Sequence, residues 1–147
     1  MENKEVIQTL NNLVEISRDG EQGFRTTAEQ ARDPQLKTVF QSAAQRCASG
    51  ARELESEIAQ LGGTPTQSSS ITGALHRLWT NLKSFVTARN DKAILEEVER
   101  GEDVAKSAYE RAVAKPLPPR VHAIIDRQYR GVRENHDRVR DLRDRAA

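Results

Sequence analysis

The stretch that decides the fold is residues 34–63, which read PQLKTVFQSAAQRCASGARELESEIAQLGG. It begins with a proline, which suits the first position of a helix because the missing N–H would have no partner there. It ends with Gly62-Gly63, a pair that favours the left-handed conformation that stops helices. Apolar and small residues between these ends recur at spacings of three and four, which predicts one amphipathic helix over 34–61. They are Leu36, Phe40, Ala43, Cys47, Gly50, Leu54, Ile58 and Leu61.

The segment before this helix predicts a second one, over residues 4–32. It ends at Asp33-Pro34, where Asp33 can cap the following helix through its side chain. Because the joining turn is very short, the two helices must run antiparallel. The inward positions of this first helix recur with the same spacing. They are Val6, Leu10, Leu13, Ser17, Gly20, Phe24, Thr27 and Ala31.

The rest of the chain predicts a loop and three more helices. The loop is GGTPTQSSS over 62–70, and the helices cover 71–88, 91–114 and 119–145, with the last two separated by the proline-rich turn 115–119. The 71–88 helix is short, and the connection that contains it is long enough to travel the length of a bundle. A single long crossover is the connectivity of ferritin-like bundles. We therefore expect an all-α, ferritin-like up-and-down four-helix bundle, with a helical crossover between helices 2 and 3, as one domain over 1–147.

Composition excludes several classes of function. The chain has 147 residues, of which 36% are hydrophobic, 31% charged and 4% aromatic, and its net charge is +1. This balance gives no field that would attract nucleic acid, so no nucleic-acid partner is expected. No apolar signal core or run of 18 apolar residues occurs, which predicts a cytoplasmic protein without a membrane span. An aliphatic and alanine-rich core also predicts little room for a broad apolar ligand pocket.

Polar residues occupy the inward positions near the middle of the helices. This central polar belt consists of Ser17, Glu102, Tyr109, Gln128 and Asn135. Glu102 matters most, because the helical period places it inside the apolar stripe of helix 3, and a buried carboxylate must be paired, protonated or metal-bound. One interpretation is a hydrogen-bonded plug in which these residues satisfy one another, with Arg46 or His136 on the flank as a counter-charge.

The alternative interpretation of the belt is a metal site. Ferritin-like bundles hold two metal ions with a Glu from each of two helices and a Glu-x-x-His from each of the others. The sequence contains no Glu-x-x-His, so a di-iron centre is disfavoured and no cofactor is expected. A mononuclear or weak di-metal site for iron or manganese stays open, with Glu21, Glu102 and His136 as the candidate ligands.

Two further features of the sequence are candidate sites. Cys47 is the only cysteine and is expected to be an inert core thiol, and no catalytic constellation is present. The 71–88 helix carries a broad apolar face, which either covers the bundle or binds a second copy, giving a homodimer or other homo-oligomer. The candidate interface residues are Ile71, Leu75, Leu78, Trp79, Leu82 and Phe85.

Three stretches resemble an uncharacterised bacterial family of ferritin-like four-helix-bundle proteins, a domain of unknown function. They are LNNLVEISRDGEQGF at 10–24, LGGTP with ITGALHRLW at 61–79, and AILEEVERGEDVAKSAYERAV at 93–113. The resemblance implies the ferritin-like fold and a soluble bacterial protein, but no established reaction; an association with stress is an expectation for such relatives. The spacing of Glu102 and Tyr109 is similar to that of a metal-ligand Glu and its neighbouring Tyr in ferritins.

Three hypotheses of function follow. The first is a non-enzymatic, self-associating bundle whose ferritin-like centre is degenerate. The second is a ferritin-like metal-binding protein centred on Glu102. The third is a helical partner-binding module with no metal. The sequence itself favours the first, because the histidine motifs that iron oxidation requires are missing.

Overall fold

A computed structural model describes residues 2–65 and 91–146 of the chain. These residues form four long helices, with no strand among them: α1 Asn3–Gln30, α2 Pro34–Gln60, α3 Asp91–Val113 and α4 Pro119–Arg145. Each of the four long helices predicted from the sequence is confirmed, with ends that differ by two residues or fewer. The predicted 71–88 helix and the candidate interface on it lie outside the described residues. No helix in 2–65 or 91–146 is both long and apolar enough to cross a membrane.

The α1–α2 hairpin turns where the sequence indicates. The Asp33 carboxylate accepts a hydrogen bond from the backbone N–H of Gln35 at 2.9 Å, and Pro34 occupies the first turn of α2. This bond satisfies one of the backbone donors that a helix start leaves unpaired. At the other end of α2, Gly62 has a φ of +84°, a conformation that favours glycine. The backbone N–H of Gly63 then donates to the Ile58 carbonyl at 2.9 Å and closes the helix.

The core divides into two apolar clusters, one towards each end of the bundle. The first joins the end of α1, the start of α2, the start of α3 and the end of α4, and includes the stacked rings of Phe24 and Phe40. The second joins the start of α1, the end of α2, the end of α3 and the start of α4. Since the starts of α2 and α3 share a cluster, these two helices run parallel, as the predicted crossover requires.

Candidate functional site

A cavity of about 400 Å³ lies between the two apolar clusters. Its wall is mostly apolar, and all four helices contribute to it. Ser49 and Arg127 on this wall are exposed, so the cavity meets the surface between α2 and α4. The residues that line it are Ile16, Ser17, Gly20, Phe24, Arg46, Cys47, Ser49, Gly50, Glu53, Gly101, Glu102, Ala105, Tyr109, Arg127, Gln128, Gly131 and Val132.

Glycine creates the space, since each helix contributes one to the wall: Gly20, Gly50, Gly101 and Gly131. Two of them also let a side chain from the neighbouring helix pass close to the backbone. A Cβ on Gly20 would lie 3.0 Å from the Cys47 sulfur, and one on Gly131 would lie 3.3 Å from Cδ of Arg46. The missing side chains therefore position the thiol and the guanidinium at the cavity.

Glu102 is the most perturbed acid of the site. It is only 4% exposed, and its Oε2 accepts a hydrogen bond from Asn135 Nδ2 at 2.5 Å. Its Oε1 has no hydrogen-bond partner among residues 2–65 and 91–146. Burial raises the pKa of Glu102 to about 8, although the Asn135 hydrogen bond and the positive charge of Arg46 act in the opposite direction. At pH 7 the carboxyl group is therefore mostly protonated, and Oε1 is the oxygen available to carry the proton.

A second hydrogen-bonded group connects α1, α2, α3 and α4. Tyr109 donates its hydroxyl to Gln128 Oε1 at 2.9 Å, and Ser17 lies 3.4 Å from the same hydroxyl. The Gln128 amide in turn donates to Glu53 Oε1 at 2.8 Å. Arg127 pairs with the other oxygen of Glu53. The five belt residues thus lie in two groups, Glu102 with Asn135 and Ser17 with Tyr109 and Gln128.

Arg46 sets the charge of the cavity. Its positive charge lowers the pKa of Glu102, yet no described carboxylate forms a salt bridge with it. Two other charged side chains on the wall, Glu53 and Arg127, form a salt bridge, so their charges cancel. With Glu102 protonated, the described wall carries a net charge of about one positive unit at pH 7.

The Cys47 thiol and the Tyr109 hydroxyl are both protonated at neutral pH. Burial raises the pKa of Cys47 to about 11, against a smaller lowering by Arg46. Burial also raises the pKa of Tyr109 to about 12, against the hydrogen bond from Ser17. Because the thiolate is the reactive form of cysteine, Cys47 is a poor nucleophile in this setting.

The residues proposed for a metal site have other partners. Glu21 pairs with Arg25 at 2.5 Å, and His136 Nε2 lies 2.6 Å from Asp103 Oδ1. Within the described part of the chain, no three His, Cys, Asp or Glu side chains are grouped so as to hold a metal ion. The side-chain amide of Asn135 donates its N–H to Glu102, whereas a metal ligand at this position would have to direct an oxygen towards the metal ion. This donor set does not fit the two-metal centre of ferritin-like bundles.

The cavity is the main feature that the sequence analysis missed. The expectation of little room for a pocket was wrong, because it rested on the aliphatic and alanine-rich composition and left out the glycine that each helix places on the wall. The role of Glu53 was missed too, since Glu53 lies on the flank of the α2 stripe and reaches the wall through its long side chain. The one available signal was the presence of a glycine near the middle of every long helix.

Comparison with protein families identifies the chain. A family model described as a domain of unknown function, DUF2383, matches residues 5–115. The chain belongs to this family. This confirms the resemblance inferred from the three sequence stretches. No protein among those with curated functions matched the chain.

Solved structures confirm the ferritin-like fold. One is a two-domain protein from Anabaena variabilis with DJ-1/ThiJ/PfpI-like and ferritin-like domains, similar at a TM-score of 0.78 and 15% identity over 98% of this chain. This chain spans only 37% of that protein's length. Another is a dodecameric thioferritin, a bacterioferritin-related protein from Bacteroides fragilis, with a TM-score of 0.75 and 13% identity over 96% of this chain and 85% of that one.

Proposed function

We propose that this protein is a non-enzymatic, ferritin-like bundle that binds a small organic molecule in its central cavity. The observation that carries the proposal is the cavity itself. It is about 400 Å³ in volume and lies where each of the four helices places a glycine on the wall. Small-molecule sites have volumes of about 300–1,000 Å³ and combine apolar walls with a few convergent polar groups. Glu102, Arg46 and Gln128 are such groups here.

Binding without catalysis follows from the protonation of the wall. A nucleophile or general base must be able to lose its proton near pH 7. Cys47 and Tyr109 have pKa values of about 11 and 12, so neither supplies a base or nucleophile. Glu102 has a pKa near neutrality, but Asn135 engages its Oε2, and we assign its Oε1 to ligand binding.

Calorimetric titration tests the binding proposal. The probes are 3-phenylpropanoate, 3-phenylpropanamide and 3-phenylpropanol, which share one apolar body and differ in the head group. We expect at least one probe to bind the wild type and to lose binding in Ala105→Leu, which places a larger side chain in the wall. Ala123→Leu, on the exposed face of α4, is the matched control and should bind as the wild type does.

Two outcomes would overturn this proposal. The first is that no probe binds the wild type, or that the probe binds Ala105→Leu and Ala123→Leu with equal affinity. The second is stoichiometric iron or manganese in protein purified without chelator, lost in Glu102→Gln. That second result would favour the metal-binding alternative with Glu21, Glu102 and His136 as ligands.

We also propose that the protein self-associates. Two observations support this: the apolar sequence of the 71–88 segment, and a structural neighbour described as dodecameric. Light scattering coupled to size-exclusion chromatography should give a homo-oligomer for the wild type and a smaller species for Trp79→Ala. A wild-type monomer would contradict self-association. An oligomer unaffected by Trp79→Ala would contradict the interface of Ile71, Leu75, Leu78, Trp79, Leu82 and Phe85.

A further inference from the structure

We propose that the ligand of the central cavity is a small organic carboxylate, bound between the Arg46 guanidinium and the Glu102 carboxyl group. This inference rests on the proposed binding function and specifies the chemistry of its ligand. It places an anionic head group at the α2–α3 side of the cavity and an apolar body against the remaining wall. Neither neighbouring structure nor the family description names such a ligand.

The first argument is the charge that the wall leaves unbalanced. Arg46 lines the cavity without a salt bridge to any described carboxylate, although most other charged groups on this wall are paired. Its Cδ lies 3.3 Å from the position of a Cβ on Gly131, so the glycine leaves room for the arginine at the cavity wall. A guanidinium binds a carboxylate through two parallel hydrogen bonds. An anionic ligand would supply the missing charge.

The second argument is the orphan oxygen of Glu102. Asn135 donates to Oε2 at 2.5 Å, which leaves Oε1 buried and without a described partner. A protonated Oε1 donates a hydrogen bond, and a carboxylate is a stronger acceptor than a neutral oxygen. A ligand carboxylate would therefore satisfy Oε1 and Arg46 together. Burial raises the pKa of Glu102 to about 8. The carboxyl group is therefore mostly neutral at pH 7, which allows an anion to approach it.

The third argument is the character of the remaining wall. Ile16, Phe24 and Val132 line the cavity, with Ala105 and the glycines between them. The polar side chains Tyr109, Gln128 and Glu53 on the rest of the wall already bond to one another or to Arg127. The body of the ligand therefore gains free energy there mainly by burying apolar surface. The combination of one anionic group with an apolar body describes a short aryl-alkyl or alkyl monocarboxylate. A cation is disfavoured, because Arg46 repels it and Glu102 is uncharged at neutral pH.

The binding should weaken as pH rises through the pKa of Glu102. The groups that act on Glu102 are Arg46 on α2, Glu99 and Asp103 on α3, and Asn135 on α4. Cys47 on α2 lies near both Glu102 and Glu21 of α1. Cys47 stays protonated over this range, and Arg46 stays charged. Only protonated Glu102 can donate to the ligand, so the affinity for a carboxylate should fall about tenfold between pH 7 and pH 9.

Calorimetric titration with 3-phenylpropanoate and 3-phenylpropanamide tests the inference. At pH 7 we expect the carboxylate to bind at least about tenfold more tightly than the amide. Arg46→Gln should remove this preference. The matched control is Arg133→Gln, which removes an exposed arginine outside the cavity wall and should leave both affinities unchanged. Urea unfolding of both variants checks that each is folded.

Glu102→Gln isolates the second contact. Glutamine keeps a neutral donor at this position, so the carboxylate should still bind at pH 7, but its affinity should no longer fall between pH 7 and pH 9. If the two probes bind the wild type equally, or if Arg46→Gln keeps the preference for the carboxylate, this inference is overturned while the binding cavity stands. If the pH dependence survives in Glu102→Gln, the Glu102 contact is wrong. If neither probe binds while 3-phenylpropanol does, this inference falls and the binding cavity stands. If none of the three binds, both proposals fall.

Discussion

Glu102 couples the stability of the fold to pH. Its pKa is about 8 in the folded protein and about 4.5 when unfolded, because burial penalises the charged form. A raised folded pKa stabilises the protein fully below pH 4.5, and this contribution is lost as pH rises through 8. Relative to Glu102→Gln, the wild type should lose about 3–4 kcal/mol of unfolding free energy between pH 5 and pH 9.

Urea unfolding of both proteins at pH 5, 7 and 9 measures this difference, since the other titrating groups are common to both and cancel. Glu102→Gln can still accept from Asn135 through its amide oxygen, so it should fold. Glu134→Gln, the same change at an exposed position of α4, is the matched control. A constant difference between wild type and Glu102→Gln over this pH range would mean that Glu102 is not buried as described.

At the residue scale, the sequence predicts which positions face inward but not which partners meet. The 3.6-residue period places Glu102 between Val98 and Ala105 on the inner face of α3, and the structure buries it. The helical period does not reveal that Asn135 donates to Glu102 or that the Arg46 side chain lies over Gly131. Those contacts depend on rotamers of long side chains and on the relative rotation of α2, α3 and α4, which no single-helix pattern encodes.

At the scale of the element, local signals are sufficient to place the helix ends. Pro34, Gly62 and the proline-rich turn before Pro119 act through backbone geometry alone, so they operate in any tertiary context. This is why α2 and α4 begin at the predicted residues. The start of α1 lacks a side-chain cap, so the sequence gives a weaker signal for the residue at which this helix begins.

The cap of α2 should contribute measurably to stability. Asp33→Ala removes the hydrogen bond from the carboxylate to the Gln35 N–H and should lower the unfolding free energy by about 1 kcal/mol. Asp33→Asn keeps an acceptor oxygen and should cost only a few tenths of that amount. Urea denaturation at pH 7 distinguishes them. Equal losses in the two variants would indicate that the charge of Asp33, rather than the cap, stabilises the helix.

At the scale of the whole molecule, the cavity depends on the heights of the helices relative to one another. Each helix has a glycine near its middle, but four glycines open a void only if they meet at one level. The length of each connection sets that level, and the chain must place the end of α2 and the start of α3 at opposite ends of the bundle. The sequence predicts this connectivity, whereas the alignment to within one helical turn depends on packing of the two apolar clusters.

The void should cost stability that a larger side chain can restore. Ala105 lines the cavity, whereas Ala43 is 1% exposed within the packed cluster around Phe40. Ala105→Leu adds apolar contacts in available space and should raise the unfolding free energy by about 0.5–2 kcal/mol. The same change at Ala43 overpacks the core and should lower it by about 1–3 kcal/mol. Thermal and urea unfolding of both variants give the comparison. A loss of stability in both would mean that the centre of the bundle is as tightly packed as its ends, and that bound ligand has no room there.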